Sequence, residues 1–253
     1  MQKTMVDVPT EDGVADAYLV LPDGAGPHPG VLMFMDAFGL RPRIQEMAER
    51  IAERGYAVLA PNILYRGGRS PQFDTSGLTD PEQRGRIFEK ISPNIRALDT
   101  AAITRDTKAY LDFLHAQPGV DPGPVVAVGY CMGGTNAVKA TEAYPDRIKA
   151  VASYHGGRLV TDQPDSPHLA VGNIAGEAYF AHADNDASMN PDAIKTLESA
   201  LDEAGVNYRS ELYPGSPHGF TMADTAMYHE PGEQRHWVTL FELLDRQLPV
   251  PAR

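Results

Sequence analysis

The sequence holds a single cysteine, and glycines frame it. Gly129-Tyr130-Cys131-Met132-Gly133 follows the apolar run "VVAV" and leads into Gly134 and Thr135. This is the spacing of a nucleophile elbow with sulfur in place of the usual hydroxyl. A nucleophile on a tight strand-to-helix turn needs small neighbours two residues to either side, because the backbone is strained and strand and helix approach closely. The helix that starts there would aim the Met132 N–H at a developing oxyanion, and its positive end favours a thiolate on Cys131. Taken alone, a cysteine after an apolar strand is as readily a small buried hydrophobe. The chemistry needs partners.

In a relay of this kind the acid and then the histidine follow the nucleophile along the chain. The stretch "EAYFAHADNDASMNP" reads as an apolar strand that breaks into an acidic loop, with a helix starting at Pro191. Asp184 and Asp186 both sit where a triad acid belongs; Asp186 lies deeper in the loop and is preferred. His182 and Asp184 could also suggest a metal pair, but nothing nearby completes a site, so no metal or cofactor is expected. Farther on, "NYRSELYPGSPHGF" is a strand followed by a loop in which Pro217 and Gly219 frame His218. The roles follow as nucleophile Cys131, base and acid His218, and orienting carboxylate Asp186.

Positioning these groups takes a sheet. Asp16–Leu21 alternates as an antiparallel edge strand would. Four later runs are short, nearly all apolar and bounded by turn residues: Gly30–Met35, Tyr56–Pro61, Pro124–Gly129 and Ile148–Tyr154. Such runs belong in a parallel sheet covered on both faces. Helical patterns lie between them. "RIQEMAERIAERG" puts Ile44, Met47, Ala48, Ile51 and Ala52 on one face, and "IRALDTAAITRDTKAYLDFLHAQ" carries Ile95, Leu98, Ala102, Ala109, Leu111 and Leu114 at helical spacing. "DAIKTLESALDEAG" and "HWVTLFELLDRQL" supply two more. The alternation predicts a doubly wound α/β fold, a mostly parallel sheet with helices on both faces. The polar, Gly- and Pro-rich stretch from Arg66 to about Ser92 predicts a cap or substrate loop, and Gly156–Gly172 a second loop. Neither is apolar enough for a core of its own, so residues 1–253 read as one domain.

Composition narrows the partners. The formal charge is −12 over 253 residues, with no basic stripe, which argues against nucleic acid or an anionic membrane surface. No apolar segment approaches the ~20 residues that span a bilayer. The first residues show no basic stretch followed by an apolar core, so no signal peptide is expected. One cysteine excludes an internal disulfide, and a reducing cytoplasm fits.

"GYCMGG", "NDASMNP" and "YPGSPHGF", with "MDAFGL" ahead of a helix and "GYAVLAPNILYR" after it, together resemble the dienelactone hydrolase family of α/β hydrolases. The resemblance runs from about Val14 to Leu248, with the motifs in the family's order. It implies the α/β-hydrolase fold and two further assignments. Ala37 would donate the second oxyanion-hole N–H. Asp36, where the best-known members carry glutamate, would meet the Cys131 thiol in the resting enzyme. The family's pair of substrate-binding arginines is matched only in part. Arg84 or Arg86, the latter preferred, could serve as the first, while Met222 stands where the second is expected. Arg158 on the other loop could bind a substrate carboxylate instead. Phe38, Tyr130 and Met222 suggest a partly apolar pocket.

The expected protein is therefore a cytoplasmic hydrolase that cleaves a small ester or lactone through a thiol acyl-enzyme. The alternatives are a thioesterase or acyltransferase using the same triad, or a silent hydrolase fold that binds a small molecule.

Overall fold

The computed structural model describes residues 1–24 and 26–250. Eight strands form one sheet: β1 (Gln2–Thr10), β2 (Gly13–Leu21), β3 (Gly30–Phe34), β4 (Ala57–Pro61), β5 (Val125–Tyr130), β6 (Ile148–Tyr154), β7 (Glu177–Ala183) and β8 (Asn207–Tyr213). Their order is β1-β2-β4-β3-β5-β6-β7-β8. β1 and β2 pair antiparallel, as do β2 and β4; every pairing from β4 through to β8 is parallel. The helices are α1 (Pro42–Ala52), α2 (Pro81–Ala97), α3 (Thr100–His115), α4 (Met132–Ala143), α5 (Pro191–Ala204) and α6 (Glu230–Gln247).

Handedness distributes these helices. The crossover from β3 through α1 to β4 steps one way along the sheet, and those from β4 to β5 and β5 to β6 step the other way. Right-handed connections therefore put α1 on one face and α3 and α4 on the opposite one. α6 returns to the α1 face, where Arg50 of α1 lies over Trp237 and Arg54 over Phe241. Every residue of β3, β4 and β5 is buried, so these strands need no polar face and read as continuous apolar runs. The chain reverses its direction of winding between β3 and β5. The crevice beyond their carboxyl ends is where open α/β sheets bind ligands.

Three expectations about elements change. The edge strand is β1, with β2 one place inward; β1 is exposed along most of its length and shows no apolar run. The stretch expected as a loop from Arg66 to about Ser92 is helical in its second half. Asp80 caps α2 by accepting the Gln83 N–H at 2.8 Å, and Pro81 opens the helix. Only Ile87 and Ile91 of α2 are buried, too thin a stripe to stand out in the pattern. The long helix expected from Ile95 onward is two helices. Leu98 is extended, and Asp99 starts α3 by accepting the Ala102 N–H at 2.7 Å. Ile95 thus closes α2, Leu98 joins the two helices, and Ala102 to Leu114 line α3.

Candidate active site

Cys131 occupies the turn between β5 and α4 with φ 55° and ψ −122°. That positive φ is strained for any residue with a Cβ, and persists only where surrounding structure enforces it. The enforcement comes from close packing. A Cβ on Gly129 would overlap the Gly133 carbonyl oxygen, and one on Gly133 would overlap the carbonyl oxygens of Phe34 and Met35 at the end of β3. The two glycines let α4 approach the sheet, and the turn lifts the cysteine side chain off the strand.

The acidic loop after β7 and the histidine loop after β8 meet at this turn. His218 Nε2 lies 2.9 Å from Cys131 Sγ, and His218 Nδ1 lies 2.6 Å from Asp186 Oδ2. Asp186 also accepts from Ser188 N at 2.8 Å and Ser188 Oγ at 2.7 Å through its other oxygen. Burial works to raise the Asp186 pKa, but the His218 and Ser188 bonds outweigh it and hold it at about 2. Burial likewise works to lower the His218 pKa, yet the charge of Cys131 and the bond to Asp186 push it up to about 11. The imidazole thus sits between the Asp186 carboxylate and the Cys131 sulfur, an arrangement that favours its protonated form. Asp184, the other candidate acid, accepts the Gly215 N–H at 2.9 Å and fastens the histidine loop. His182 is buried against Ser210 Oγ at 3.2 Å. Among the described residues no cluster of three or more His, Cys, Asp or Glu side chains is arranged to hold a metal ion.

Met132 is the first residue of α4, so its N–H has no acceptor within the helix. Ala37 lies in the loop after β3, and among the described residues neither N–H donates to a protein acceptor. Asp36 does not reach the thiol. Its carboxylate takes Arg41 Nη1 at 2.6 Å, Arg41 Nη2 at 3.0 Å and the Phe38 N–H at 3.0 Å, and no hydrogen bond joins it to Cys131. Arg41 also holds Asp224, through Nε at 2.6 Å and Nη2 at 3.1 Å. The aspartate is short enough to turn back on its own loop, where a fully buried guanidinium claims both oxygens.

Nothing in "FGLRPR" signals that Arg41 would be buried, because its second anion lies 183 residues away. A second unforeseen residue is His155, at the end of β6 with φ 39° and no solvent exposure. Its Nδ1 accepts the Cys131 N–H at 3.1 Å, which leaves Nε2 to donate to Thr221 Oγ1 at 2.8 Å. Its ring meets that of His218 edge-on, centroids 5.4 Å apart. Burial, with His218 and His236 close by, holds its pKa well below the usual range and keeps it neutral. His155 ties the Cys131 backbone to the histidine loop.

A cavity of about 660 Å³ opens over Cys131 and His218. Phe38, Arg158 and Met222 line it. Arg86 does not: it is exposed on the outside of α2 and pairs with Glu82 at 2.5 Å, while Arg84 lines the cavity in its place. One helical turn holds both arginines, and only the inward one can reach. Tyr130 is also absent from the wall. Strand alternation sends its side chain to the opposite face from the cavity, where its hydroxyl meets His236 Nε2 at 3.0 Å and its ring stacks on Tyr154.

Comparison with known proteins bears on the same site. The model of the dienelactone hydrolase family matches residues 15–248. A Synechocystis protein named "Putative carboxymethylenebutenolidase" is 26% identical over 251 residues, covering 98% of each chain. A protein of the same name from Methylorubrum extorquens is 26% identical over 239 residues, 93% of this chain and 78% of its own. The crystal structure of a "Putative Dienelactone Hydrolase" from Klebsiella pneumoniae superimposes with a TM-score of 0.82 at 21% identity, over 95% of this chain and 97% of its own. At that identity the superposition speaks for the fold. With the family model spanning nearly the whole sheet and both loops of the site, the chain belongs to the dienelactone hydrolase family and is a hydrolase of the carboxylic-ester and lactone class.

Proposed function

We propose that the protein cleaves an ester or lactone by acyl transfer to Cys131. The observation that carries this reading is the continuous relay from Cys131 Sγ through His218 to Asp186, at 2.9 Å and 2.6 Å. The attacking pair in this scheme is a thiolate beside an imidazolium, with His218 holding the proton given up by the Cys131 sulfur 2.9 Å away. The thiolate attacks the substrate carbonyl, and the Ala37 and Met132 N–H groups receive the resulting oxyanion. His218 passes its proton to the departing alkoxide oxygen as the carbon–oxygen bond breaks, leaving a thioester on Cys131 and a neutral imidazole. That imidazole takes a proton from water, whose oxygen attacks the thioester. Collapse releases the acid and restores the ion pair.

Asp36 has no proton-transfer role in this scheme. Its carboxylate anchors the loop that carries Ala37. The chemistry also selects among esters. A thiolate leaves readily from the tetrahedral intermediate, so attack reverts unless the alkoxide is also a good leaving group. Lactones and enol esters therefore suit the site better than alkyl esters or amides.

Replacing Cys131 with alanine tests the reading. Turnover of phenyl acetate is expected to fall by about a thousandfold or more, the scale on which loss of a triad nucleophile acts. Unchanged turnover would remove the mechanism.

A further inference from the structure

The cavity is larger than the reaction at Cys131 requires. Its volume of about 660 Å³ lies in the range, about 300–1,000 Å³, of sites that bury drug-sized ligands. A bare lactone ring fills a small part of it. Beyond the groups around Cys131, the lining continues along α4 through Thr135 and Asn136. It is completed by Phe88 and Ile95 of α2, Leu98 at the joint between α2 and α3, and Ile103 of α3. Phe88 is 48% exposed, and Ile95 and Leu98 are only partly covered by the core. Apolar side chains left open on the wall of a reaction cavity are surface that a ligand can cover.

Charge in this arm is mostly spoken for. Lys139 is held by Thr100 Oγ1 at 2.5 Å and Asp165 at 3.1 Å. Met222 presents a thioether, with its sulfur 3.6 Å from an Arg41 already matched by two carboxylates. Arg158 is exposed on the same lining, and two further donors, the Asn136 amide nitrogen and Arg84 Nη1, are buried with no partner among the described residues.

We propose that the arm bounded by α2, α3 and α4 is a second subsite for a bulky, mainly apolar extension of the ester. An aryl group or a medium-length alkyl chain fits its walls. The preferred substrates are then esters or lactones that carry such a group, rather than the smallest members of the class. The proposal rests on acyl chemistry at Cys131, because the arm is continuous with that site.

Binding can be measured without turnover. The Cys131→Ala protein would be titrated calorimetrically with methyl phenylbutanoate and methyl acetate. Covering the apolar wall should make the former bind at least about tenfold more tightly. Leu98→Trp and, separately, Ile95→Trp in the same background narrow the arm and should collapse that preference. Equal affinities for the two esters, or a preference that survives both tryptophans, would overturn the subsite. An enzyme silent toward every ester that still prefers the phenyl compound would keep the subsite and discard the reaction.

Discussion

At the scale of single residues, the proposed chemistry depends on one imidazole holding its proton. Against burial, the contacts with Cys131 and Asp186 push His218 up to about 11, and Asp186 is held at about 2 by its bonds to His218 and Ser188 against the same effect of burial. The signs of the two contributions to stability differ. The raised His218 pKa stabilises the fold fully below its ordinary 6.5, and that contribution disappears as pH climbs through about 11. The lowered Asp186 pKa stabilises the fold above its ordinary 3.8, and its contribution disappears as pH falls through about 2. Asp186→Asn keeps the shape and removes the charge. The imidazole proton resonances of His218 should then titrate at lower pH than in the parent. Turnover should fall by about ten-thousandfold. A His218 titration unmoved by the substitution would contradict the role given to Asp186.

At the scale of elements, the loop from β3 to α1 is fastened by charge. Arg41 is fully buried between Asp36 and Asp224 and ties the segment after β3 to the segment after β8. Arg41→Met leaves the Asp36 carboxylate buried without its counter-ion. Breaking a buried pair in this way costs about 3–5 kcal/mol, which urea unfolding would register; a loss below about 1 kcal/mol would mean the network carries little. Sequence alone made some of this scale readable. The elbow could be read because Gly129 and Gly133 answer a local steric demand, and Asp186 and His218 because their order along the chain is constrained. The direction of Tyr130 was also within reach, since strand alternation opposes it to the cavity face. Arg41 and His155 were not, because their partners come from distant loops and nothing local marks them. α2 escaped notice for a different reason: two buried isoleucines leave almost no helical stripe.

At the scale of the molecule, the order of strands follows from right-handed crossovers and puts the site where β3 and β5 diverge. The doubly wound α/β class was legible from the alternation of apolar runs and helices, but the order of the strands was not. The width of the cavity was not, because it depends on how α2 and α3 stand over the sheet. Net charge acts at the same scale. A formal charge of −12 repels anionic substrates over distances comparable with the screening length, about 10 Å at 0.1 M salt. Raising salt from low to moderate concentration should therefore raise kcat/KM for a carboxylate-bearing lactone by roughly twofold or more, and leave a neutral ester unaffected. An equal response from both would place the effect elsewhere.

The central claim is that an acyl group passes through sulfur. The most direct measurement is the mass of the intact protein, quenched in acid during the first turnover of phenyl acetate and then digested. The predicted result is a gain of one acetyl group on the peptide containing Cys131, absent from the Cys131→Ala protein. Turnover with no such adduct under single-turnover quench, or an adduct that persists in Cys131→Ala, would contradict the account.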